Sequence, residues 1–157
     1  MDTSSNVYWD CIEYAENLIK QVLKDKTCVV SIGGTTVARQ DEFLVRELPE
    51  SVTFSDRVTA AMGNSGASGT YRTEFNVAFE VWCKRATLQA ASSTVLEWLQ
   101  AVFAAVAADK TLGGFAIHAE PYMDNGGTAI DTNKTYTAAF NCGIHVKAEI
   151  FPATTKE

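Results

Sequence analysis

Glu74-Phe75-Asn76-Val77-Ala78-Phe79-Glu80-Val81-Trp82-Cys83 decides the fold. Phe75, Val77, Phe79, Val81 and Cys83 alternate with Glu74, Asn76, Ala78, Glu80 and Trp82. A period of two predicts a strand with its first set buried and its second set on the opposite face. Such a strand needs a second layer to cover its apolar side. The segment that follows supplies one. Over Thr87–Ala108 the apolar stripe Leu88, Ala91, Val95, Leu99, Val102, Phe103 and Val106 has helical spacing, and Thr87 stands where an N-cap belongs.

Working outward, Tyr136–Ile150 alternates again. Tyr136, Ala138, Phe140, Cys142, Ile144, Val146, Ala148 and Ile150 share one face, and Pro152 ends the run. Phe115–Met123 predicts a strand that Pro121 assigns to an edge or a bulge. Asp124-Asn125-Gly126-Gly127 predicts the turn after it. Upstream, Asn6–Lys24 predicts an amphipathic helix capped by Ser5 or Asn6, with acids early and lysines late as the helix dipole prefers. Cys28–Ile32, Phe43–Leu48 and Val52–Ala60 predict short strands, with a turn at Gly33-Gly34. The Gly/Ser-rich stretch at about 61–72 predicts a flexible hairpin loop, and 153–157 a frayed tail. The whole chain, 1–157, therefore predicts one α+β domain. Its sheet is mostly antiparallel or mixed, with two helices on one face, a two-layer sandwich.

The charge sum narrows the function classes. Thirteen basic against nineteen acidic residues give −6, which excludes a general grip on nucleic-acid phosphates and disfavours anionic membranes. No transmembrane segment is predicted, because Trp98–Ala108 is short and contains Gln100. Cys11, Cys28, Cys83 and Cys142 lie far apart without metal-ligand spacing, and predict reduced, mostly buried thiols in a cytoplasm.

Catalytic patterns are sparse. Ser31-Ile32-Gly33-Gly34-Thr35-Thr36 lacks the lysine of a phosphate loop, and the Gly-Gly pairs at 33, 113 and 126 read as turns. Ser65 has Ala67 where a nucleophile elbow needs glycine. His118 and His145 both point away from the core, and the spacing of Cys142 and His145 sends them to opposite faces. The acids Asp124 to Asp131 lack the pattern of a calcium loop. No cofactor, metal or catalytic residue is expected.

The unusual feature is the charge of the second helix. In Thr87–Ala108 the one charged side chain is Glu97. Away from its apolar stripe stand small or uncharged residues, among them Gln100, Ala101, Ala104 and Ala105. A solvent-facing helix normally carries several charges there, so a subunit interface is expected on this face. Trp82, an aromatic among polar neighbours on its strand, is a second candidate. Gly66 and Ser68 in the flexible loop are a third, ordering on contact with a partner.

The chain from Thr73 to Ile150 resembles the tail terminator (tail completion, minor tail) proteins of long-tailed bacteriophages. The resemblance is carried by Glu74–Trp82, by Val95-Leu96-Glu97-Trp98-Leu99, by Ala108-Asp109-Lys110-Thr111-Leu112-Gly113-Gly114, and by the closing strand around Tyr136–Val146. The middle, Gly33–Arg72, departs from it. The resemblance implies an α+β structural subunit of the virion, at the head-proximal end of the tail, assembled in the host cytoplasm. It implies a hexameric ring that caps the tail tube protein, ends its polymerisation and meets a head-side connector. Phage DNA would pass through the lumen unbound, which the acidic excess suits. No enzymatic residue is implied. Other readings are a different neck or head–tail connector protein, the tube protein, or a small cytosolic α+β enzyme or ligand-binding domain with a pocket between helices and sheet.

Overall fold

The computed structural model describes residues 6–33, 41–57, 71–130 and 134–150. The alternating stretch lies within a fifteen-residue strand, Tyr71–Arg85, and the closing strand Tyr136–Ile150 is equally long. They pair antiparallel without interruption from Tyr71–Ile150 to Arg85–Tyr136. Numbered in chain order, the elements are α1 (Val7–Val22), β1 (Val29–Ile32), β2 (Asp41–Val45), β3 (Glu50–Arg57), β4 (Tyr71–Arg85), α2 (Leu88–Ala107), β5 (His118–Ile130) and β6 (Tyr136–Ile150). The sheet runs β1-β2-β4-β6-β5, with β3 also on β4. Only β1 and β2 are parallel, so the sheet is mixed as well as mostly antiparallel.

β2 and β3 lie end to end along the same side of β4. β2 pairs with residues 79–83 and β3 with residues 71–76. Pro49 lies between them, and β3 is kinked near its start at Ser51, whose φ is 53°. Asp41–Arg57 and β4 thus form one long, broken hairpin.

The core is the one that the alternation predicts. Phe75, Val77, Phe79, Val81 and Cys83 are buried, as are Ala138, Cys142, Ile144, Val146 and Ala148. α1 and α2 cover them from one side. Asn6 caps α1 through Trp9 N–H (2.8 Å), and Thr87 caps α2 through Ala90 N–H (3.1 Å). Trp98, at 2% exposed, joins the buried stripe of α2, whereas Leu88, at 46%, drops out of it. The reason is position. Leu88 is the first residue of α2, whereas Trp98 sits mid-helix on the flank that meets the core.

Several boundaries differ from expectation. β4 begins at Tyr71, so residues 71 and 72 belong to the strand and not to the expected loop; 61–70, 153–157, Gly66 and Ser68 lie outside the described residues. β2 stops at Val45, and β5 begins at His118 after a single 3-10 turn at Leu112–Gly114. The larger correction concerns Asp124–Gly127. No turn forms there: β5 continues to Ile130, with a register shift between Met123 and Asn125. Two cross-strand pairs hold it. The Phe140 ring lies over Gly126, where a Cβ would stand 2.1 Å from it, and Tyr122 lies over Gly143, where a Cβ would meet Tyr122 Oη at 2.7 Å. An aromatic ring over a strand glycine replaces the missing side-chain packing. The glycines therefore serve close packing, and the expected edge position of Pro121 holds.

α2 also corrects the membrane reading in part. Its twenty residues are long and apolar enough, by length and composition, to cross a membrane. Here its apolar stripe is buried on the sheet by Ala91, Val95, Trp98, Leu99, Val102 and Val106.

One tether fixes α1 to the segment after α2. The Tyr14 hydroxyl donates to Asp109 Oδ2, and Gly113 N–H donates to Asp109 Oδ1 at 3.1 Å. The hydrogen bond to Asp109, then burial, raise the Tyr14 pKa above its ordinary 10.0. A raised folded-state pKa means that the bond stabilises fully below pH 10 and is lost as pH rises through the higher value.

Three outcomes follow from this packing. Phe79→Ala should cost about 3–5 kcal/mol in urea unfolding. Gly126→Ala should cost about 1–3 kcal/mol by overpacking against Phe140, while Gly127→Ala, with nothing within 4 Å of its Cβ, should stay within about 0.5 kcal/mol of the parent. Tyr14→Phe should lose about 1 kcal/mol at neutral pH; unfolding curves of parent and variant should converge above pH 10 as the parent tyrosine ionises.

Candidate subunit interfaces

The outer face of α2 is exposed and nearly free of charge. Gln89, Ser93, Leu96, Glu97, Gln100, Ala104 and Ala107 face solvent, spaced so that they form one stripe along the helix. Leu96, at 45% exposed, stands at its centre, and sequence periodicity missed it. Ala101 and Ala105 are half-buried on the flank. Glu97, the lone charge, is held at 3.1 Å by Lys26 from the turn after α1. The residues expected on this face, Gln100, Ala101, Ala104 and Ala105, are therefore brought together by one helix.

Trp82 does not join them. It is half-buried on the far side of the sheet, in register with Glu42 of β2 and Ala139 of β6. The two-layer architecture places α2 and Trp82 on opposite faces, so they form no common surface.

That far face is polar and cross-linked. Arg46 pairs with Glu80, and His145 bridges Asn76 Oδ1 (2.8 Å) and Glu74 Oε1 (3.2 Å). His118 pairs in register with Lys147 and Glu120 with His145, so the two histidines are diagonal neighbours. His118 Nε2 lies 3.8 Å from Glu120. Cys142 is buried on the opposite face, as its spacing from His145 requires. Among the described residues, no group of three His, Cys, Asp or Glu side chains comes together to hold a metal ion. Burial pushes the Cys11, Cys28 and Cys142 thiols up to about 12, which leaves them protonated and poorly nucleophilic at neutral pH.

A third surface, not anticipated, is the arm made by β3. Every residue from Ser51 to Ser55 is exposed, including Val52 (48%) and Phe54 (59%). Phe54 stacks on Tyr71 of β4 at 5.2 Å between ring centroids, and that pair is its cover. Leu48, at 73%, lines a cleft of ≈ 390 Å³ with Gly33, Arg46 and Glu50. A second cleft of ≈ 440 Å³ lies between Val7, Tyr8, Phe115 and Ile150. Both are at the rim. Between helices and sheet, Phe43, Phe75, Phe79 and Trp98 fill the space. The alternating Val52-Thr53-Phe54 was legible as a strand, but exposure of its apolar side depends on where the helices end.

No protein-family model matches the chain, nor does any curated protein.

A charge in the middle of the α2 stripe tests whether its outer face bears on folding. Ala104 is exposed, so in dilute, monomeric protein Ala104→Glu should change the unfolding free energy by no more than about 0.5 kcal/mol; a larger loss by thermal melting under those conditions would contradict its exposure.

Proposed function

We propose that this chain is a structural virion protein, a tail terminator that forms a ring, a hexamer, on the tail tube of a long-tailed phage. In this reading it acts by assembly and not by catalysis. It ends tube polymerisation and presents a surface for the head-side connector. The resemblance of Thr73–Ile150 to that family suggests the role, and the bare outer face of α2 is the observation that carries it. A chain of net charge −6 that leaves a twenty-residue helix with one exposed charge spares a surface from solvation. Small uncharged residues let a neighbouring subunit approach closely, and desolvating them is inexpensive.

The acidic excess fits a lumen through which DNA passes, since like charges discourage adhesion. The helix–sheet interior, filled by large aromatic side chains, offers less support to a reading as a ligand-binding domain.

Light scattering on the purified protein, alone and with tail tube protein, tests the reading. The expected species is a closed ring, free or seated on tube ends, and tubes polymerised with the protein should be capped in electron micrographs. Ala104→Glu should shift the ring to smaller species while the fold is kept. A protein that stays monomeric in both settings, and leaves tube length unaltered, would overturn the proposal.

A further inference from the structure

The sheet has three open edges among the described residues: β1 pairs with β2 alone, β3 with β4 alone and β5 with β6 alone. Proteins that remain monomeric guard such edges with charges, prolines or bulges. The first half of β5 has all three, in His118 and Glu120, Pro121, and the register shift after Met123. The second half has none. Asn125-Gly126-Gly127-Thr128-Ala129-Ile130 carries no charge and no proline, and its register with β6 is unbroken. β1, Val29-Val30-Ser31-Ile32, is bare in the same way.

The pairings place these edges along the strands, with β4 as the ruler. His118–Glu120 stand level with residues 74–76 of β4, and Asn125–Ile130 with residues 80–85. β3 lies beside residues 71–76, and β1, through β2, stands level with residues 79–82. The guards on β5 therefore end where β1 begins.

We infer that β1 of one copy of this chain adds to the bare half of β5 of the next as an antiparallel strand, so that the sheet runs on from subunit to subunit. The inference rests on the ring reading above and names its contact. Three observations select β1 as the occupant. First, the two edges are unlike and level. Joining unlike edges is head-to-tail, as a ring requires, while β5 on β5 or β1 on β1 stops at a dimer. Rotation about a ring axis along the strands keeps each residue at its own level, which sets Val29, Val30 and Ser31 beside Gly127, Gly126 and Asn125 of the next copy. The same rotation sets β3 level with the guarded half of β5, and β3 stands one strand nearer the centre of the sheet than β1. Second, direction agrees. β1 is parallel to β2, and β2, β4, β6 and β5 are successively antiparallel, so β1 runs opposite to β5. Third, side chains match by face. Ile32 is in register with buried Val45 and Met123 with buried Cys142, so both lie on the helix side, and Met123, 45% exposed, gains Ile32 as a neighbour. On the far side Ser31 meets Asn125. Since α1 packs on β1 and α2 on β5, the union also sets α2 beside the α1 of the next copy.

Cysteine pairs test the contact. Within one chain Val29 and Gly127 are four strand spacings apart, about 19 Å, too far for a disulfide. Across the proposed contact they stand opposite each other, about 4.5–5.5 Å between Cα atoms. The Val29→Cys, Gly127→Cys double variant, oxidised with diamide alone or on tail tubes, should give a ladder of covalent species up to the ring on a non-reducing gel, collapsed by dithiothreitol. An equimolar mixture of the two single variants should give covalent dimers and nothing larger. Each single variant alone should cross-link no more than the parent. Ser31→Cys with Asn125→Cys, two residues along each strand, gives a second reading. Gly127 and Asn125 are exposed and Val29 and Ser31 half-buried, so all four single variants should keep the parent circular dichroism. If the parent forms a ring and neither pair cross-links beyond its single variants, or if Gly127→Cys alone gives dimers, the strand contact is wrong while the ring reading stands. If the parent is monomeric alone and with tail tube protein, both fall.

Discussion

The β4–β6 ladder is the constraint on which the rest of the molecule depends. Fifteen residues on each strand pair without a break, and a period of two sends alternate side chains of both to the same side. The apolar side that results is too large to leave in water. Two helices are laid on it, and their buried stripes face the same core. The remaining strands are placed by which side of this pair is free: β2 and β3 on the outer side of β4, β5 on the outer side of β6.

The ladder is also longer than either helix. Fifteen strand residues span about 50 Å at roughly 3.3 Å each, whereas helices of sixteen and twenty residues reach about 24 and 30 Å. The helices cross the strands and, with the segments that flank them, still bury the helix-side face from Thr73 to Cys83 of β4 and from Ala138 to Ala148 of β6. β3 is attached along the Tyr71–Asn76 end of β4, and there Phe54 and Val52 remain in solvent. The exposed apolar arm lies to the side of the covered ladder, since Thr73 and Phe75 of β4 are buried against Tyr8 of α1 while β3 next to them is not. Its uncovered state in one chain and the uncharged outer face of α2 are compatible with the same explanation, a surface completed by another copy.

Charge is distributed accordingly. The face of the sheet away from the helices holds paired groups, such as Arg46 with Glu80 and His145 with Glu74. Exposed pairs of this kind contribute about 0–1 kcal/mol each, so they keep the face soluble more than they hold the fold. The free-energy weight lies with Phe43, Phe75, Phe79, Trp98 and their aliphatic neighbours, packed between the layers.

Much of this was legible from residue order. Alternation in Glu74–Cys83 and Tyr136–Ile150 identified both central strands and their buried faces, because period two is a local property of the backbone. Asn6 and Thr87 marked the helix starts for the same kind of reason, since a cap bonds three residues away. Asp124-Asn125-Gly126-Gly127 shows where local reading ends. Turn chemistry is written there, but Phe140, fourteen residues on, occupies the space over Gly126 and keeps the chain extended. The bare face of α2 was visible as composition, and the side of the sheet that carries Trp82 from period two, while Leu96 at the centre of the helix face was not, because exposure is a relation between layers. Periodicity reports which residues share a side. Which sides are then covered, and which edges stay open, depends on contacts between segments far apart in the chain.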